Sequence, residues 1–326
     1  MKKIWVSIMI MIIIILFSYE ILTSSKEIFE TVSFSFNIWK NNIFPSVFPF
    51  FIISELLINY GFVELVSELA KPIMNTLFRI NSKCAFIFIL SIISGFPSNA
   101  KYAKELYLEG EITVDEASKI LTFTHFANPL FILGTVSIVF LNNKEIGFLI
   151  LICHYLSNII IGIIFRNYSI SKNEKNHVSI KTAFLNMHRK RINNNKNFGQ
   201  IITNSLAKSI NTLLLILGII TVFLIITTII DNNINLNNFY QSILNGVFEM
   251  TQGLKYIGIL DIPLKMKAIL SCMILSFGGL SVHMQIISII SDTDIKYLPF
   301  LTARILHSFI SSVMIYLLFE VWIKII

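Results

Sequence analysis

The sequence predicts an all-α integral membrane protein made of two inverted-topology repeats, each with a re-entrant helical hairpin and a broken transmembrane helix. Three observations lead there. Of the 326 residues, 55% are hydrophobic and 14% charged, with mean hydropathy +0.74, more apolar than a water-soluble domain needs to fill its core. The windows Ile4–Leu22, with Glu20 as its one charge, and Ile146–Phe165 and Leu213–Ile230, with none, approach the roughly 20 residues that cross hydrocarbon. Two further apolar runs, Cys84–Ser94 and Ala268–Phe277, stop far short of that length, and each ends at glycine.

The first window, residues 1–25, follows Lys2 and Lys3; it lacks a small-x-small cleavage pattern and is long for a secretion signal, so it is expected to stay as a membrane anchor. Residues 26–165 form the first repeat and 200–326 the second. Between them, residues 166–199 carry Arg166, Lys172, Lys175, Lys181, Arg189, Lys190, Arg191 and Lys196 against Glu174 alone. Positive residues stay inside, so this linker and the N-terminus are expected in the cytoplasm. The net charge of +7 is concentrated there without interleaved aromatics, which argues against nucleic acid as a partner. Cys84, Cys153 and Cys272 show no CxxC spacing and read as small core residues.

Eleven helical residues rise about 16 Å, half of a bilayer about 30 Å thick, so neither short run can span alone. Each is expected to turn back, as hairpins over 84–108 and 268–290. Irregular backbone at membrane depth must face protein or a wet cavity. Gly95 and Pro97, then Gly278 and Gly279, suit such turns. Placing Ser94–Ser98 over Phe277–Ser281 aligns the two halves, and a two-residue slip pairs Lys119 with Arg304. Taking Ile4–Leu22, Phe44–Tyr60, Ala117–Leu141 and Ile146–Phe165 as crossings returns the linker to the cytoplasm only if 84–108 does not cross. In the second half Ile202–Ile230 goes out, 268–290 enters from outside, and Leu298–Val321 returns to leave Lys324 inside. Phe62–Ile80 and Phe239–Ile259 are amphipathic and read as interfacial helices.

Polar groups inside hydrocarbon must find partners, so they mark candidate sites. In "TFTHFANPLF", Thr122–Phe131, Asn128-Pro129 breaks a spanning helix; "HSFISS", His307–Ser312, is its expected counterpart, though without proline. Half-helix N-termini meeting at such breaks favour an anion or carboxylate. The candidate solute contacts are Ser94, Gly95, Pro97, Ser98, Asn99, Thr124, Asn128, Pro129, Glu249, Thr251, Gly278, Gly279 and Ser281. Lys101, Lys119 and Arg304 are candidate charge partners, or else interfacial caps that snorkel. Glu249, in "EMTQGL", and Glu55 are candidate buried carboxylates, able to couple a proton or bind a polar ligand, or simply structural. His125, His154, His177, His188, His283 and His307 show no metal-ligand spacing, and no GxSxG or phosphate-binding loop is present. The expectation is a non-enzyme with no metal and no cofactor, in contact with the lipid bilayer and a small anionic solute, compatible with a homo-oligomer.

"SGFPSNAKYAKELYLEGEIT" followed by "EASKILTFTHFANPLFILGTV", with "EMTQGL" later, resembles the sporulation integral membrane protein YlbJ family, also called SpoVV. The family's motifs read closer to SGYPxGAK and SGPLF; Asn99 and Asn128 stand here where it has small residues. The resemblance runs from about Asn37 to Phe319. It implies two nucleoside-recognition Gate domains and export of dipicolinic acid from the mother cell across the outer forespore membrane. A nucleoside or other small-metabolite carrier and a non-transporting scaffold of spore-envelope assembly are the rival readings.

Overall fold

The computed structural model describes residues 2–171 and 179–325. Lys172, Glu174, Lys175 and His177 of the linker lie outside the described residues. Among the described residues every regular element is helical, and six helices are long and apolar enough to cross a membrane. The chain is an integral membrane protein. Helix α1 (Lys2–Thr23) leaves its apolar side chains exposed, as an anchor lying in lipid would.

Two very long helices organise the rest. α2 (Ser25–Asn59) absorbs the predicted span Phe44–Tyr60 into a 35-residue rod. Pro45 and Pro49 cannot donate to the helical ladder, and just ahead of them, over Trp39–Ile43, the turn widens to π geometry. α10 (Phe198–Asn233) runs antiparallel beside it, with contacts Thr31 to Thr228 (2.7 Å), Ser35 to Thr221 (2.8 Å) and Trp39 Nε1 to the Leu213 carbonyl (2.9 Å). A narrow apolar seam, including Val47, Phe51, Leu213 and Leu224, fills the space between them.

After α2 come α3 (Phe62–Ile73), the hairpin arms α4 (Cys84–Ser94) and α5 (Ser98–Leu108), α6 (Val114–Phe123), the π-wound α7 (Phe131–Phe140) and α8 (Lys144–Ile164). The linker contributes α9 (Ile180–Asn193), packed on α3. There burial draws the Lys190 ammonium down, but Glu109 and Glu111 outweigh it and raise its pKa. After α10 follow α11 (Asn238–Phe248), α12 (Met250–Ile259), α13 (Leu264–Phe277), α14 (Gly279–Ile290) and α15 (Tyr297–Ile325).

Contacts at the two ends of the molecule fix which segments traverse it. At the linker end Lys83 meets Glu111 (3.2 Å), Lys104 meets Asp292 (2.6 Å) and Lys296 meets Asp115 (2.8 Å). At the far end Lys265 meets Glu320 (3.0 Å) and Trp322 Nε1 donates to the Glu145 carbonyl (3.2 Å). Lys83 and Glu111 therefore bring together the two ends of the segment 84–108, whose helices α4 and α5 fold back on each other. Leu264–Ile290 is different: it starts at the far end and finishes at the linker end. The predicted hairpin over 268–290 is instead a traversing helix interrupted at Gly278.

The second hairpin lies where an interfacial helix is predicted. Phe239–Ile259 breaks at Glu249, and α11 folds back on α12 so closely that a Cβ on Gly253 would lie 2.2 Å from Gly246 Cα. No side chain but hydrogen fits there. The predicted break at His307–Ser312 is absent, since α15 runs continuously. Without proline, Ser308, Ser311 and Ser312 simply donate to carbonyls of their own helix. Because α15 begins at the linker end, Lys324 sits at the far end, opposite to the prediction. Each half thus reads long helix, hairpin, broken helix, closing helix. The predicted alignment of Ser94–Ser98 with Phe277–Ser281 set a hairpin turn against a helix break; the like elements are the Gly95–Pro97 and Glu249 turns, and the Thr124–Asn128 and Gly278 breaks.

Candidate functional site

Each hairpin tip is docked on the helix break of its own half. Gly95 adopts φ +75°, and a Cβ there would stand 2.6 Å from the Asn128 nitrogen, so only glycine lets the first tip approach. Phe96 N donates to the Phe126 carbonyl at 2.8 Å. Asn128 Nδ2 donates to the Ile93 carbonyl at 2.9 Å and the Ser46 carbonyl at 3.2 Å, while its Oδ1 accepts from Leu130 N. The asparagine thus supplies partners that the break removes from the backbone. Ser94 and Ser98 hydroxyls lie 2.6 Å apart inside the turn, and Thr124 Oγ1 donates to the Ile120 carbonyl. Asn99 is fully buried at the start of α5, its amide making no hydrogen bond among the described residues.

The second tip mirrors this docking with different chemistry. Glu249 is 1% exposed, and one carboxylate oxygen accepts from Thr251 N (2.8 Å), Gln252 N (3.0 Å) and the Thr251 hydroxyl, capping α12. Its other oxygen accepts from Ser281 Oγ at 3.4 Å, tying the tip to the N-terminus of α14. Gly279 lies so near that a Cβ would meet Met250 N at 3.0 Å.

The two breaks in turn meet each other. His154 accepts from Ala127 N at Nε2 (3.0 Å) and pairs Nδ1 with Ser276 Oγ (2.9 Å), so one ring spans both. Arg304, fully buried, donates to the Thr122 carbonyl at the C-terminal end of α6, to Asn158 Oδ1 and to His307 Nδ1. A guanidinium against unsatisfied helix-end carbonyls meets partial negative charge there. His125 stacks on Phe96 with ring centroids 4.5 Å apart and abuts Gly278.

Between these parts lies a cavity of about 50 Å³. Phe96 and Pro97 from the first tip, Asn128 and Phe131 from the first break, and Glu249, Met250 and Thr251 from the second tip reach its wall. Val282 and Gln285 of α14, Ile43, Ser46 and Val47 of α2, and Ile216 and Ile220 of α10 complete it. Water fits there. Two larger vestibules open between the long helices. One of about 450 Å³ at the linker end is bordered by Glu55, Glu105, Lys196 and Lys208, and one of about 360 Å³ at the far end by Glu27, Glu30, Asp231 and Lys255.

Of the sequence-predicted contacts, Pro97, Asn128, Glu249 and Thr251 share this wall; Ser94, Gly95, Ser98, Asn99, Thr124, Pro129, Gly278, Gly279 and Ser281 form the turns and breaks behind it. None of the three predicted charge partners reaches it. Lys101 is paired with Glu55 at 2.6 Å. Lys119 donates to the Arg79, Arg166 and Ser169 carbonyls at 2.9, 2.7 and 3.0 Å, stapling the linker end, and Arg304 is spent on the breaks. Sequence reasoning missed Phe96, Ser46 and Gln285, and the walls given by the long helices. Gln285, a lone amide in apolar α14, was the available signal.

Two hairpins and two interrupted helices around a central cavity, with six helices long enough to cross a membrane, define a polytopic membrane protein. The chain is 32% identical, over 92% of its length and 79% of the relative's, to the sporulation integral membrane protein YlbJ of Bacillus subtilis (strain 168). It belongs to the YlbJ family of sporulation integral membrane proteins. No protein-family profile and no solved structure matches it.

Proposed function

We propose that this protein carries a small solute across its membrane, with two inverted repeats whose hairpins are re-entrant from opposite faces, and that the solute is a small carboxylate. Dipicolinic acid is the one the family resemblance implies, moved out of the mother cell across the outer forespore membrane with the linker in the mother-cell cytoplasm. The observation that carries this reading is the convergence of two hairpin tips, the first helix break and the half-helix α14 that follows the second break on one central cavity between vestibules at opposite ends. Irregular backbone deep in a membrane protein is tolerated where it lines such a space, and carrier sites are built this way.

Four half-helices, α5, α7, α12 and α14, begin around the cavity and turn partial positive charge toward it. Glu249 offsets the end of α12, whereas α5 and α14 carry no side-chain cap. Uncapped ends favour a carboxylate. A second reading, a neutral nucleoside-like solute, is favoured by the wall itself, which offers Asn128, Gln285, Ser46 and Glu249 but no lysine or arginine. Purified protein in proteoliposomes separates the two. Saturable dipicolinate flux that excess uridine leaves unchanged is expected; uridine flux indifferent to dipicolinate would overturn the carboxylate assignment. A scaffold would retain function in Ser98→Ala, Asn128→Ala and Glu249→Gln, whereas a carrier loses flux while still inserting.

A further inference from the structure

The space between the linker-end vestibule and the central cavity is closed by charge. Glu55 of α2, 2% exposed, forms an ion pair with Lys101 of α5 at 2.6 Å and accepts from Lys208 of α10 at 3.3 Å; Lys208 also holds Glu105 of α5 at 2.7 Å. Two carboxylates and two ammoniums thus join three separate elements with no net charge. Their position is regular. Glu55 and Lys208 each stand eight residues, about 12 Å of helical rise, from the cavity residues Val47 and Ile216 of the same helices, and Glu105 stands eight from Pro97, which caps the start of α5. Phe51, fully buried, fills the intervening layer with Lys101 Nζ 5.0 Å from its ring centre.

The ions border the vestibule on one side while their helices line the cavity on the other, so separating α5 from α2 and α10 would join the two spaces. α5 is the returning arm of a hairpin whose tip is held at the cavity by Gly95 and Asn128. We propose that the solute route runs along the seam between the two long helices, and that the Glu55, Lys101, Glu105 and Lys208 quartet is its gate at the linker end, opened by movement of the first hairpin. The proposal rests on the transport reading for its purpose, but not for its test.

The test is the rate at which an impermeant thiol reagent applied from the linker face modifies Val47→Cys in full-length protein whose three cysteines are replaced by alanine. Glu105→Gln should raise that rate about tenfold, the equivalent of one partly buried ion pair worth about 1.4 kcal/mol. Because Lys208 is half-exposed, raising salt should also speed modification in the unsubstituted quartet, a measurement that needs no folded variant. Unchanged modification under both Glu105→Gln and high salt would overturn the gate. Responsive modification without dipicolinate flux supports the gate and defeats only the substrate assignment; dipicolinate flux with unresponsive modification defeats the gate alone.

Discussion

The two ends of the seam between α2 and α10 are closed in different ways. At the linker end four charged groups bridge three elements around buried Glu55. At the far end the closing contacts are neutral: Thr31 to Thr228 at 2.7 Å, Ser35 to Thr221 at 2.8 Å and Thr227 to Gln252 at 2.5 Å. The hairpin tips differ likewise, one held by an asparagine amide and the other capped by a carboxylate. Like architecture with unlike chemistry teaches that the halves share positions for irregular backbone rather than residues. Ion pairs with a buried member are long-ranged and costly to leave half-made, whereas hydroxyl contacts are short-ranged and cheap to exchange. The linker end should therefore be the firmer closure.

Substitutions can break that contrast in graded steps. Gly95→Val should have the largest effect, because a branched side chain cannot enter beside the Asn128 backbone at φ +75°; the first tip undocks, and flux should fall at least about a hundredfold while the protein still inserts. Glu55→Gln leaves Lys101 buried without its carboxylate and should cost about 3–5 kcal/mol in a denaturation assay in detergent. Thr228→Val removes one neutral contact at the far end and should cost about 0.5–1.5 kcal/mol by the same assay. A far-end loss equal to that of Glu55→Gln would erase the contrast. Lys104→Gln, whose partner Asp292 is exposed, should change neither stability nor flux measurably.

Much of the scaffold was legible because its signals are local. The apolar run before Gly95-Phe96-Pro97 ends after eleven residues, and the helix containing Asn128-Pro129 is broken there; both turns are present. The second half was misread where the signal was ambiguous. Gly278-Gly279 serves a hairpin turn and a kinked traverse equally well by sequence, and only the Lys265–Glu320 and Lys104–Asp292 pairs at opposite ends decide between them. Glu249 interrupts its helix without proline, by capping α12 with its own carboxylate, so Phe239–Ile259 reads as one amphipathic helix until the cap is seen. The buried cations were legible as unusual but not in their use. Nothing in the sequence indicates that Lys119 would be spent on three carbonyls, or Arg304 on the end of α6.

Opposed hairpins demand that their bases lie on opposite faces of the membrane. Side-specific labelling of Glu111→Cys, at the base of the first hairpin, and Lys265→Cys, beside the base of the second, measures this in intact and inverted vesicles. Modification of Glu111→Cys only from the face that bears the linker, and of Lys265→Cys only from the other, is the expected result. Modification of both from one face would contradict it.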